Sequence, residues 1–172
     1  MAAPLLALSD EGLCSPAGGF HIDPVRPVDR ALVTHGHADH ARSGHRAVLA
    51  TAETLDIMAL RYGDGFAATR EAAVYGEPMR IGDVTVTFHP AGHVLGSAQI
   101  AIERGGERAV VSGDYKRQDD PTCVPFELVP CDLFVTEATF GLPVFRHPDA
   151  AREIAKLVES ASLFPDRPHL VG

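Results

Sequence analysis

The run Thr34-His35-Gly36-His37-Ala38-Asp39-His40 concentrates four potential metal ligands in six residues, directly after the apolar segment 31–33. In an extended segment residues i and i+2 face the same side, so the imidazoles of His35 and His37 can converge on one cation, with small Gly36 and Ala38 leaving room. If the chain then turns into a helix, Asp39 and His40 point into an adjoining volume, where a second cation can sit roughly 3.5–4 Å from the first. With 9 histidines among 172 residues, this spacing arises by chance in roughly two of a thousand such chains. His93 lies in a glycine-flanked loop, Pro90-Ala91-Gly92-His93-Val94-Leu95-Gly96, and Asp114 follows Gly113 at the end of an apolar segment. Taken singly, the first reads as an ordinary loop histidine and the second as a turn or cap residue.

The elements that must carry these residues follow from periodicity. Apolar runs at 5–8, 20–22, 31–33 and 47–50, separated by Gly, Pro and Asp, read as short strands. Residues 52–62 place Leu55, Met58, Ala59 and Tyr62 at helical spacing, with Thr51 and Thr54 as polar starts and Gly63 as a stop. Strands are expected at 79–81, 84–88, 98–102 and 109–111, with Gly82-Asp83 and Gly105-Gly106 as tight connections. Residues 133–136 are apolar on both faces and predict an interior strand. After a proline-punctuated loop at 141–148, residues 149–162 predict an amphipathic helix with Asp149 at its start, and the apolar end 169–172 reads as the beginning of another strand.

One domain is expected from 172 residues with 45% hydrophobic content. The N-terminus lacks a basic stretch and a long apolar core, so the expectation is a soluble, cytoplasmic protein with no membrane association. Cys14, Cys123 and Cys131 form no CxxC pair, which suggests neither a disulfide framework nor a sulfur-based zinc site. The net charge of −8 argues against a generally basic nucleic-acid-binding surface. Two divalent ions at the acidic ligand cluster offset that charge where a phosphate must approach.

The order strand, HxHxDH, loop histidine, strand-end aspartate resembles the metallo-β-lactamase superfamily. That resemblance implies an α/β fold of αββα sandwich type, with residues 1–172 as an incomplete N-terminal portion. It implies that His35, His37 and His93 bind one zinc, that Asp39 and His40 bind a second, and that Asp114 bridges both, with manganese as the alternative metal. Asp23 matches the family's first acidic motif, which supports the ligand loop by hydrogen bonding.

The stretches Gly92-His93-Val94-Leu95-Gly96-Ser97, Ser112-Gly113-Asp114-Tyr115 and Val135-Thr136-Glu137-Ala138-Thr139-Phe140-Gly141 look like the β-CASP nucleases, in which Glu137 matches a further acidic residue. The segments Leu13-Cys14-Ser15-Pro16-Ala17-Gly18, Pro27-Val28-Asp29-Arg30 and Asp120-Pro121-Thr122-Cys123-Val124-Pro125-Phe126 resemble bacterial ligase-associated DNA exonucleases. Relatives of these are often labelled mRNA 3′-end processing factors.

The resemblance implies hydrolysis of nucleic-acid phosphodiesters, DNA favoured over RNA, in connection with an ATP-dependent DNA ligase. Asp39, His40, Asp114 and Glu137 would serve the chemistry. An RNA-processing nuclease, a thioester or lactam hydrolase of the glyoxalase II type, and a metal-stabilised module that recruits a repair partner are the alternatives. Family members continue through a β-CASP cap and two more histidine motifs that residues 1–172 do not contain, so weak activity is expected of this stretch alone. His21, His45, His89, His147 and His169 read as ordinary loop or surface residues.

Overall fold

The structure is a computed structural model that describes residues 3–139, 141, 142, 144 and 148–169; His147 and residues 170–172 lie outside the described set. The chain divides into two compact units, Met1–Glu137 and Ala138–Gly172.

The first unit is built on two sheets. Strands β1 (Ala7–Ser9), β2 (Gly12–Ser15), β3 (Phe20–Ile22), β4 (Arg30–Leu32) and β5 (His45–Thr51), then helix α1 (Ala52–Tyr62) and strand β6 (Ala67–Ala73), follow in the chain. The six strands make one sheet in the order β1-β2-β3-β4-β5-β6. β3, β4, β5 and β6 run parallel to one another, while β1, β2 and β3 pair antiparallel. A second sheet, ordered β11-β10-β9-β8-β7, contains β7 (Met79–Ile81), β8 (Val84–Pro90), β9 (Ala98–Arg104), β10 (Glu107–Val111) and β11 (Leu133–Val135).

Period-two alternation sorts the apolar residues into two cores. Phe20, Ile22, Leu32, Leu49, Val84, Val86, Phe88, Ile100 and Ile102 pack between the sheets. Ala31, Val33, Val48 and Ala50 face the other way and meet Leu55 and Met58 of α1. β4 and β5 are therefore apolar on both faces, as expected of strands enclosed by a helix and a second sheet. α1 forms where the periodicity predicts it. Thr51 caps its start by accepting from the Thr54 amide at 3.3 Å, and Gly63 at φ 81° ends it with a bond to the Ala59 carbonyl.

On the second sheet, Ala101 and Val110 face away from the core yet are fully buried. An extended strap lies along this side. Gln99 donates to the carbonyls of Pro90 and Glu127, and Arg108 donates to the Pro130 carbonyl at 3.0 Å. The result is a helix, sheet, sheet and strap arrangement of the expected α/β sandwich type. In the second unit α2 (Ala150–Leu163) is capped by Asp149, whose carboxylate accepts from the Arg152 amide at 2.9 Å.

Both glycine-bearing connections form the predicted hairpins, β7 with β8 and β9 with β10. Three expectations differ. β2 and β6 are strands without an apolar signal: Ala67–Ala73 reads AATREAA and is held by parallel pairing to β5 instead. β11 pairs only with β10 among the described residues, so it is an edge strand there, with Leu133 and Phe134 half exposed. His45 is a buried strand residue rather than a surface one, accepting from the Val28 amide at 3.3 Å. Among the described residues, no helix is long and apolar enough to cross a membrane.

Leu32 lies fully buried between the sheets, three residues before His35. Leu32→Ala should destabilise the unit by about 2–5 kcal/mol, measured by urea unfolding. A loss below about 1 kcal/mol, the range of a well-tolerated substitution, would mean that this inter-sheet contact is not the core it appears as.

Candidate metal centre

The ligand segment is held by the strand that runs beside it. Asp23 follows β3, and its amide donates to the Leu32 carbonyl of β4 at 3.0 Å. Its φ of 45° makes it the one described non-glycine residue in the left-handed region, which Asp tolerates better than most. From there its carboxylate accepts from the Thr34 amide at 2.8 Å and the Thr34 hydroxyl at 2.6 Å, and lies 2.9 Å from Nδ1 of His40.

Because the Thr34 hydroxyl donates to Asp23, its oxygen is left to accept from Nδ1 of His35, 3.0 Å away. That bond fixes the tautomer in which Nε2 of His35 carries the free lone pair. The same logic at His40 places the proton on Nδ1 toward Asp23 and leaves Nε2 open. After His35 the chain makes one turn rather than a helix, with the amides of His40 and Ala41 both donating to the His37 carbonyl.

Three imidazoles then converge. Nε2 of His35 and Nδ1 of His37 are 3.0 Å apart, and Nε2 of His93 is 3.2 Å from the same His37 nitrogen. Oδ2 of Asp114 lies 3.8 Å from His35 and 3.6 Å from His93. A tetrahedral ion with bonds of about 2.0–2.1 Å separates its ligand atoms by about 3.3 Å, so these spacings are close to the edges of such a polyhedron. The donor set fits a divalent metal ion. All four ligand atoms lie within 4.8 Å of one another.

His93 is brought in by a tightly braced loop. Ser97 Oγ accepts from the amides of His93 and Val94, and the Gly96 carbonyl accepts from the hydroxyls of Thr51 and Thr54 at the start of α1. Asp114 is brought in by close backbone approach: Gly113, at φ 55°, sits where a Cβ would lie 2.6 Å from the Thr34 hydroxyl oxygen. Only glycine fits there without displacing Thr34.

Beyond Asp114 lies a second group. Its Oδ1 is 3.3 Å from Nε2 of His40, which is in turn 3.6 Å from the Asp39 carboxylate. These residues line a cavity of about 400 Å³ that Glu137 also borders, with Leu13, Ile22 and Val135 among its apolar walls. Asp39 is mostly exposed, with 76% of its side-chain surface accessible, so it is the least constrained member of the set. Thr34 and Ser97 stand inside the stretches that motif reasoning singles out, but that reasoning assigns neither of them a bracing role. The hydroxyl position directly before HxH is the signal that could have found Thr34.

Burial and the neighbouring imidazoles of His40, His93 and His37 push the His35 pKa down to about 2, so His35 is a neutral donor at any ordinary pH. Burial also lowers His93, although the Asp114 charge opposes this. His40 is the exception: burial pulls it down, but the Asp23 hydrogen bond and the charges of Asp23, Asp114 and Asp39 outweigh that and hold it above its ordinary value.

No protein-family model matches the chain. Among curated proteins it is 33% identical over 145 residues to a probable DNA ligase of Opitutus terrae, covering 82% of this chain and 14% of that protein. It is 29% identical over 170 residues to a ribonuclease of Thermus thermophilus, covering 81% of this chain and 38% of that one. The chain thus spans well under half the length of the curated relatives it matches. A solved structure of a protein of unknown function from Enterococcus faecalis shares the fold at a TM-score of 0.50 and 18% identity, over 81% of this chain and 39% of that one. The HxHxDH turn, loop histidine and strand-end aspartate keep the order expected of the metallo-β-lactamase superfamily, and the chain is similar over most of its own length to these ligase- and ribonuclease-named relatives.

These shifts set the pH response of the metal-free protein. His40, raised when folded, adds stability below the ordinary value of 6.5 that is lost as the pH rises through its folded value. His35 acts oppositely: below 6.5 the unfolded chain takes up a proton that the folded chain refuses until about pH 2, so acidification costs stability. His93 and His45, both lowered, act in the same sense as His35. Urea unfolding in the presence of a chelator should therefore show lower stability at pH 5.5 than at pH 7.5, with a smaller difference in His35→Gln. Equal or greater stability at the lower pH would contradict this assignment.

Proposed function

We propose that this chain carries the metal-binding part of a metal-dependent phosphodiester hydrolase that acts on nucleic acid. The observation that supports it best is the position of Asp114, whose Oδ2 faces His35 and His93 while its Oδ1 faces His40. In this reading His35, His37 and His93 hold one ion, Asp39 and His40 hold a second, and Asp114 reaches both. Zinc suits the mixed nitrogen and oxygen donors, with manganese as the alternative. When bound, two such ions supply Lewis acidity toward a phosphoryl group and activate water near neutral pH.

The chain's own residues do the positioning. Asp23 and Thr34 hold His35 and His40 in the tautomers that offer Nε2 to the ions, which removes a rearrangement from the binding step. Asp114 fixes the separation of the two positions. Glu137, on the cavity wall next to His40, orients a catalytic histidine contributed from elsewhere in the whole protein. Leu13, Ile22, Val25, Val111 and Val135 give that cavity an apolar side against which a substrate can rest beside the ligand cluster.

DNA is favoured as substrate, in an exonuclease that works with a DNA ligase; the relative named as a probable DNA ligase supports this. The relative named as a ribonuclease supports RNA as the second reading. The test is to incubate protein loaded with zinc or manganese with end-labelled DNA and RNA of one sequence and, separately, with a glutathione thioester. The expected result is phosphodiester cleavage with DNA cut faster, reduced by at least about 100-fold in Asp114→Asn, the scale on which loss of a charge-stabilising group acts. Thioester turnover without cleavage of either nucleic acid would place the chain with the glyoxalase II type instead.

A further inference from the structure

Gln99 is 1% exposed, a polar side chain enclosed on β9, an interior strand of the second sheet. A buried carboxamide costs free energy unless its N–H groups are bonded. Its neighbours Ala98 and Ile100 belong to the inter-sheet core, so Gln99 faces the opposite way, under the strap of residues 116–132. There its Nε2 donates to the Pro90 carbonyl at 2.9 Å and to the Glu127 carbonyl at 2.7 Å. Two carbonyl acceptors fix which way round the amide lies, because only its nitrogen can donate to both.

Those two carbonyls belong to the segments that deliver both ligands of the second sheet. Pro90 ends β8 three residues before His93, and the strap that contains Glu127 begins just after Asp114. The strap grips the loop at each residue between Pro90 and His93. The Glu127 amide donates to the Pro90 carbonyl at 3.1 Å and the Lys116 amide to the Ala91 carbonyl at 3.0 Å. Gly92 lies flush against the strap, where a Cβ would run into the Lys116 carbonyl and the Phe126 amide nitrogen. Gln99 stands at the root of this grip, so that Pro90 and Glu127 are joined twice, once directly and once through its carboxamide. The Glu127 carboxylate also lies 3.2 Å from Nδ1 of His89, but it is half exposed and its pull is weakened by water.

We propose that Gln99 is a positioning residue for the metal centre: by locking Pro90 to Glu127 it holds the His93 imidazole at the spacing a shared ion requires. His93 needs such a support more than the other ligands do. His35 and His40 are oriented through their second ring nitrogens by Thr34 and Asp23. Nε2 of His93 stands 3.2 Å from Nδ1 of His37, and among the described residues nothing bonds its other ring nitrogen, so the placement of the ring falls to its backbone. Gln99 acts through that backbone and touches no ion itself. The inference rests on the metal-centre reading, and the experiment separates the two.

Zinc affinity is measured by competition with a chromophoric chelator, and the cobalt-substituted protein is followed by its visible absorption, in the parent, Gln99→Met, His93→Ala and the double variant. Methionine nearly keeps the volume of glutamine and removes its donors. Gln99→Met should bind zinc at least about tenfold more weakly than the parent, with shifted cobalt bands, the scale on which contacts supporting a ligand act. Added to His93→Ala it should lower the affinity no further, because the ligand it serves is gone. Ile102→Ala removes a side chain from the inter-sheet face of the same strand and should bind zinc as the parent does. If Gln99→Met does not fold, Gly92→Ala strains the same grip from the loop side, with the same pattern expected. Unchanged affinity and spectrum in Gln99→Met beside a parent that binds zinc would overturn this inference alone. An equal loss in the His93→Ala background, or the same loss in Ile102→Ala, would do so too, by showing a general loosening of the fold. A parent that binds no zinc would overturn the metal-centre reading and this inference with it.

Discussion

The carboxylate of Asp23 is the interaction on which the centre depends. It accepts two hydrogen bonds from Thr34 and one from His40, and through the Thr34 hydroxyl it also determines the proton on His35. One side chain thus sets the orientation of ligands on both sides of Asp114. The left-handed backbone that aims it has a cost, of order 1–3 kcal/mol for strained positions in general, and three bonds to a largely buried carboxylate offset it.

The sheets make that bond possible. β3 and β4 are parallel neighbours with Ile22 opposite Leu32, so the residues that follow each strand emerge at the same end. Because β4 is apolar on both faces, it is fixed by α1 on one side and by the second sheet on the other. The second sheet adds His93 and Asp114, and the Ala98 amide ties it directly to the Thr34 carbonyl at 2.8 Å. Gly113 allows the last close approach.

Much of this was legible in the residues alone. The HxHxDH spacing, the limits of α1 and both glycine hairpins follow from local rules, because each is decided within a few residues. What was not legible depends on partners far along the chain. β6 has no apolar pattern and exists through pairing with β5, and His45 looks like a surface residue until β5 is enclosed. Among the described residues β11 stands at a sheet edge despite its apolar sequence, because strand order is a property of the sheet. Thr34 stands at the head of the ligand run, yet its role appears only once Asp23 and His35 stand on either side of its hydroxyl.

The central claim is that residues 34–40, locked by Asp23, form a metal centre. Elemental analysis of the purified chain beside a His35→Ala/His37→Ala variant tests it most directly. The account predicts zinc or manganese in the parent and its loss in the variant, with both still folded by circular dichroism. A parent that takes up no metal after reloading, or a variant that retains as much as the parent, would contradict it.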